Sequence, residues 1–199
     1  MRRSLRGLIV AAMLATGLDW IDAAVADGNA GFAAYESGDY ATAMKEFMPM
    51  ATAGHHAAQY AVGMMYLQGQ GVAKNPPEAV KWLTLAAEAD VAAAQDQLGH
   101  LYLMGEGVAQ DIPQATKWLQ LAADRGVPSS QARLSGMYFQ GVGVAQDKVK
   151  AYLYAGLAAM KHNEEGQAMV EYLQGQLTSA ELSQAEALIV AWKPVVPQL

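Results

Sequence analysis

The sequence predicts an all-α solenoid of helix-turn-helix repeats about 36 residues long, closed by a C-terminal pair of helices. Three observations predict it. Near copies of one stretch recur 36 residues apart: AQYAVGMMYLQGQGV at Ala58 to Val72, AQDQLGHLYLMGEGV at Ala94 to Val108 and SQARLSGMYFQGVGV at Ser130 to Val144. After each copy, small and aromatic residues follow at offsets of 3, 4 and 7, which place them on one helical face. Glycines and capping residues punctuate the pattern at the same phase. Units of this length cannot bury their apolar faces alone and must stack on their neighbours.

The first pair, 27–57, is irregular. Tyr35-Glu36-Ser37-Gly38-Asp39-Tyr40 leads into Ala43, Phe47 and Ala51 at helical spacing, and Gly54 follows. Tyr35 and Ala43 stand 8 residues apart where Tyr66 and Ala79 stand 13 apart, so the first connecting loop is five residues shorter. Terminal repeats are commonly atypical because one face lacks a neighbour.

Three repeats follow, at 58–93, 94–129 and 130–165. In the first of them a helix runs from about Ala57 to Gln68, and Gly69 sits where a C-terminal cap adopts positive φ. Gly71 lets the loop reverse and Val72 folds back on the helix pair. Asn75 has the type and place of an N-cap, with Pro76 and Pro77 in the first turn, where a missing N–H costs nothing. Asp111 with Pro113, and Asp147 without proline, repeat the device. The second helices carry Ala79, Trp82, Ala86 and Ala87, repeated as Ala115, Trp118, Ala122 and Ala123, and more loosely as Ala151, Tyr154, Ala158 and Ala159. Gly126 and Asp90 occupy matching helix ends.

Beyond His162 the period fades. Helices are expected from Glu164 to Gln176 and from Ser179 to Lys193, the second opened by a Thr178/Glu181 capping box and stopped by Pro194 and Pro197. Trp192, Leu188 and Leu182 are expected to close the stack, so 166–199 reads as a C-terminal cap.

The repeats resemble the Sel-1-like repeat family, relatives of tetratricopeptide solenoids. The match rests on Ala58, Gly63, Tyr66, Gly69, Gly71, Val72, Ala79, Trp82, Ala86 and Ala87, and on Ala94, Gly99, Tyr102, Gly105, Gly107, Val108, Ala115, Trp118, Ala122 and Ala123. The third copy departs at Ser130, Ser135 and Tyr154, and less regular packing is expected there. The resemblance implies a right-handed α-solenoid that binds other proteins, is often exported or envelope-associated in bacteria, and brings no catalytic residue set. A cysteine-rich secreted branch of the family is linked to β-lactam binding and hydrolysis; this chain has no cysteine.

Composition limits the function. At 53% hydrophobic and 16% charged, the 199-residue chain is globular, and alanine supplies much of the apolar fraction. Arg2, Arg3 and Arg6, an apolar run from Leu8 to Leu18, and Ala24-Val25-Ala26 before Asp27 form the layout of a secretory signal peptide, 1–26. An apolar run this short does not span a membrane, so no stable insertion is expected after cleavage. The product from Asp27 onward has 10 basic and 17 acidic residues, a net charge of −7, which argues against nucleic acid as a partner. The absence of cysteine removes disulfides, thiolate metal sites and a lipid anchor. A periplasmic or secreted protein is expected.

No residue pattern carries chemistry. The G-x-G pieces have Lys74, Gln110 and Gln146 where a dinucleotide loop needs its third glycine. His55 and His56 are adjacent and diverge by about 100° on a helix, so they do not chelate as an i, i+4 pair. No serine opens an S-x-x-K motif. The reading is therefore a non-catalytic scaffold without cofactor or metal, with a protein partner. The alternative is a secreted or periplasmic hydrolase or enzyme accessory acting on β-lactam-like or peptidoglycan-like substrates. Positions in the first helices that vary between repeats are the candidate partner-binding residues: Tyr60, Met64, Leu67, Asp96, His100, Leu103, Arg133 and Phe139. Leu67, Leu103 and Phe139 would form an apolar stripe on the concave face, or else core between repeats.

Overall fold

The computed structural model describes residues 30–196, and every regular element among them is a helix. The leader 1–26, its cut before Asp27, and Pro197 lie outside them. In chain order the helices are α1 (30–37), α2 (Tyr40–Thr52), α3 (His56–Gln68), α4 (Pro76–Glu88), α5 (Ala92–Met104), α6 (Ile112–Asp124), α7 (Pro128–Gln140), α8 (Lys148–Ala159), α9 (Glu164–Gln174) and α10 (Ser179–Ala191). They fall into two compact units: one runs up to Ala94 and takes in Glu106–Ala109, and the other comprises Gln95–Gly105 and the chain from Gln110 onward.

The register is stricter than the sequence suggests. First helices start at 56, 92, 128 and 164, and second helices at 40, 76, 112 and 148, each series 36 residues apart. The reason is local. Asp39, Asn75, Asp111 and Asp147 each accept a hydrogen bond from the backbone N–H three residues on, at Thr42, Glu78, Gln114 and Lys150. Before the last three of these caps, a loop closes through backbone bonds from residues 75, 111 and 147 to the carbonyls of Tyr66, Tyr102 and Tyr138. Asp39 is a fourth cap in phase with them. It follows the two-residue turn at Gly38-Asp39, which is the shortened first loop.

Three positions of the repeat adopt left-handed geometry; Gly69, Gly105 and Gly141 end the first helices, and the other two sets bear on the turns that follow. Residues 54, 90, 126 and 162 all have positive φ, filled by glycine, aspartate, glycine and histidine. Residues 71, 107 and 143 have φ near +70° and are glycine in each case. The second set also sits against the preceding second helix. A Cβ on Gly71 would strike the carbonyl of Tyr40, one on Gly107 that of Pro76, and one on Gly143 would come within 2.6 Å of the Thr116 hydroxyl. Tyr40 and Pro76 are the first residues of α2 and α4, and Thr116 is in the first turns of α6.

Buried amides reinforce this contact. The Gln59 side chain donates to Ala51 O at 3.2 Å and Gln131 to Ala123 O at 3.1 Å, each reaching the end of the preceding second helix. Gln95 occupies the same position and is fully buried. Within each pair, Gly63 and Gly99 let Leu83 and Leu119 press on the first helix; a Cβ at either glycine would lie under 3 Å from the leucine. These leucines, completely buried, fill more of the core than the half-buried Trp82.

The third repeat does not pack less regularly, contrary to expectation. Its helices keep the phase of the others, with α7 of the same length and α8 one residue shorter, because each serine finds a partner. Ser135, in the place of Gly63 and Gly99, donates to Ala151 O at 2.7 Å. Tyr154 stacks on Tyr138 at 5.6 Å and accepts from Gln120 Nε2. Burial raises the Tyr154 phenol above its ordinary pKa, with the Gln120 hydrogen bond opposing.

The C-terminal helices begin in phase. Gly166 follows Ala58, Ala94 and Ser130 at the small-residue position, packed on α8, and Leu173 follows Met65, Leu101 and Met137, all buried. The α10 capping box forms as expected. Helix α9 ends at Gln174 and α10 at Ala191, each two residues before its expected end, and Trp192 is already extended. Leu188 does not close the stack; it is 40% exposed. Leu173, Leu182 and Ile189 do so against Ala151 and Tyr152, while Trp192 covers Leu119, Tyr154 and Leu157.

Two expectations follow. Gly54→Ala carries only the left-handed cost, since nothing lies within 4 Å of its Cβ position, and should lower unfolding free energy by about 1 kcal/mol in urea titrations. Gly143→Ala adds overpacking and should cost about 2–4 kcal/mol. The second concerns pH. Hydrogen bonds from Thr42 hold the Asp39 carboxyl below its usual pKa, and those from Thr178 do the same for Glu181. Depressed carboxyls contribute stability that is present above the unfolded pKa and lost as pH falls through the folded one. The Asp39→Asn/Glu181→Gln variant should therefore lose less of its urea midpoint than the parent between about pH 5 and pH 3.

Candidate functional site

Each candidate residue of the first helices falls in one of the two units. In the first unit, Tyr60 and Met64 are 5% exposed and belong to the core, whereas Leu67 is half-buried. In the second, Asp96 is 4% exposed. His100, Leu103, Arg133 and Phe139 are half-buried.

Asp96 and Arg133 do come together, with Asp96 buried and Arg133 half-buried over it. Arg133 Nη1 donates to Asp96 Oδ1 at 2.7 Å, Ser130 Oγ to the same oxygen at 2.6 Å, and Ser129 Oγ to Oδ2 at 2.9 Å. A buried carboxylate demands such partners. Here three donors on α7 meet one acceptor on α5. Ser129, Ser130 and Arg133 replace Ala93, Ala94 and Gln97 of the preceding repeat, so the departures of the third copy form one set.

Phe139 is also engaged within the chain. It packs on the cluster of Ala151, Tyr152, Leu173 and Ala185, and meets Tyr172 of α9 edge-on at 5.4 Å. The expected apolar stripe is thus covered at this member. What faces outward on α7 is the stripe Ser129, Arg133, Gly136 and Gln140, at spacings of 4, 3 and 4. On α5 the matching line is Ala93, Gln97, His100 and Met104, the last 63% exposed. Gln97 and Met104 vary in the same way between repeats and share this line, whereas Gly136 and Tyr172 stand outside the candidate set; period-36 comparison shows which columns vary, but only burial separates outward columns from inward ones.

Among the described residues no group of three His, Asp or Glu side chains is placed to hold a metal ion, and no helix is long and apolar enough to cross a membrane. The exposed ion pair of Lys74 with Glu106 at 3.0 Å is a surface contact of small energetic weight.

The Sel1 repeat family model matches residues 56–91, 92–127 and 128–163, together more than half of the chain. The chain belongs to the Sel1 repeat family. Each matched Sel1 repeat begins at the first residue of α3, α5 or α7. A solved Sel1 repeat protein from Oxalobacter formigenes is 35% identical, with a TM-score of 0.59 over 64% of this chain and 96% of that one. A protective antigen present in uropathogenic Escherichia coli strains, displaying an SLR fold, is 25% identical with a TM-score of 0.54. It aligns over 94% of this chain, which spans 48% of the antigen's length. Comparison with curated proteins returns no match. Sel1 repeat proteins are all-α solenoids that generally serve as non-catalytic scaffolds for protein–protein interaction.

Asp96→Ala should destabilise the protein by about 3–5 kcal/mol, because Arg133 is left without its counter-charge. Asp96→Ala/Arg133→Met should recover part of that loss. A denaturation double-mutant cycle reads both; additive losses would contradict the coupling.

Proposed function

We propose that this chain is an exported scaffold of the bacterial cell envelope, without chemistry of its own, that holds a protein partner on the outward face of its first helices. The observation that carries the reading is the Sel1 repeat array itself, whose fixed residues are spent on turns, caps and packing. Asp96, the most acidic feature of the candidate set, is consumed by internal donors. That leaves Gln97, His100, Leu103, Met104, Arg133 and Gly136 as the surface on which this protein differs from repeat to repeat.

Export is supported by the basic, apolar and small-residue segments of 1–26. The acidic balance of the product from Asp27 onward favours a partner other than nucleic acid.

Cell fractionation with intact-mass measurement tests location: a periplasmic or secreted product beginning near Asp27 is expected, and a full-length cytoplasmic one would overturn export. For binding, a pull-down from envelope extract should recover a specific protein with the parent. Leu103→Glu should retain helicity and lose that protein by at least tenfold, about 1.4 kcal/mol. Retention of the same protein at parental yield would remove the first-helix face from the proposal.

A further inference from the structure

One column of the second helices is open on α4 and α6 and closed on α8. Leu85, Leu121 and Leu157 stand 36 residues apart; the first two are 46% and 36% exposed and the third 4%. What covers α8 is the C-terminal end of the chain itself. A Cβ on Gly156, which takes the place of Thr84 and Gln120, would strike Ile189 of α10. Just past the end of α10, Trp192 packs on the cluster that holds Leu119, Ala123, Tyr154 and Leu157.

The stretch from Trp192 onward is held as a bound peptide is held. Trp192 leaves the helix with ψ 138°, and Pro194 biases the residue before it toward the same extended backbone. Every residue from Lys193 to Val196 is exposed. Two ties fix the stretch to the rest of its unit: the half-buried Trp192 ring, 3.2 Å from the Cβ position of Gly126, and a 2.7 Å hydrogen bond from Val195 N–H to Asp124 O.

The seat beneath it is built from α6 and α8. The amides of Arg125, Gly126 and Val127 turn back to the carbonyls of Ala122 and Ala123, so Asp124 O takes its donor from outside the turn. Lys161 Nζ donates to Gly126 O at 2.8 Å and flanks the same glycine as the indole. The seat thus offers an apolar floor, a residue without a side chain at the ring edge, and one helix-end carbonyl that pairs with an extended backbone.

We infer that this seat is a peptide-binding site kept shut by the chain's own C-terminal segment, and that it receives in exchange an extended protein segment bearing a tryptophan and, three residues on, a backbone N–H. The resident segment specifies the chemistry of its replacement, because it is the ligand the seat already fits. A segment joined to its site acts at an effective concentration on the order of 1 mM or above, so two ties suffice to keep it docked. Two ties are also few enough for it to open without unfolding the helices below. The seat lies on second helices and does not depend on the first-helix face.

The full chain and a synthetic peptide test this. Trp192→Ala should keep the helicity of the parent by circular dichroism; lost helicity would make the indole part of the core and overturn the strap. The acetylated, amidated peptide of residues 191–197 should then bind Trp192→Ala with a dissociation constant on the order of 1 mM. Backbone amide shifts should centre on Gly126, Leu157 and Lys161. The parent, with its seat filled, should bind the peptide at least about tenfold more weakly. Alanine for the peptide's tryptophan should weaken binding to Trp192→Ala by at least about tenfold, and an N-methyl group on its Val195 nitrogen by about threefold. Val195→Pro removes one tie from the resident segment and should bind the peptide about threefold more tightly than the parent. No binding to folded Trp192→Ala, equal binding by the parent, or equal binding of the alanine peptide would overturn the inference. A parent dimer abolished by Trp192→Ala would also overturn it, placing the segment on a second copy.

Discussion

The close approach of each loop glycine to the preceding second helix is the contact on which the rest of the structure depends. At Gly71, Gly107 and Gly143 the backbone passes so near the first turn of that helix that a single methyl group has no room. A left-handed φ at the same residue disfavours other side chains independently, by about 1–2 kcal/mol. The contact fixes where a second helix starts relative to the next loop, and the aspartate or asparagine cap fixes where that helix starts in the chain. With both ends of the relation set, the spacing of 36 residues becomes a geometric requirement.

Around this contact the polar groups are used to hold neighbouring repeats together. Gln59 and Gln131 reach back to the carbonyls at the end of a preceding helix, and Asp96 gathers Ser129, Ser130 and Arg133 from the following one. Both devices are buried, so breaking either exposes an unsatisfied group to an apolar interior. They also make the contact between neighbours directional, which alanine faces alone would not.

The turns and caps were legible in the sequence because their chemistry is local: Gly69, Asn75, Asp111 and Thr178 act on residues within a few positions of themselves. The repeat starts were read at Ala58, Ala94 and Ser130, two residues late, because first helices such as α3 and α7 are preceded by His55 and Val127, which make no side-chain cap. The phase of α9 was missed since its turn glycines and tyrosine are gone while its packing positions, Gly166 and Leu173, remain. Of the candidate site, Asp96 was the least legible. Its donors lie 33 to 37 residues away, and comparing one column at a time treats as independent what is a single exchange across four positions. Gln59 recurs at Gln95 and Gln131 in plain view, yet glutamine on a helix reads as surface until its burial is known.

The placement of indole rings makes this chain its own optical instrument. Among the described residues, Trp82 belongs to the first unit, Trp118 to the second, and Trp192 lies where the C-terminal segment crosses the cluster of Leu119, Tyr154 and Leu157. Near Gly126, the Trp192 ring comes within 3.2 Å of the glycine's Cβ position, and three residues beyond that ring Val195 N–H bonds to Asp124 O. Undocking of the terminal segment would wet that indole and red-shift its emission while Trp82 and Trp118 keep their surroundings, so loss of the segment can be followed by fluorescence without any attached label.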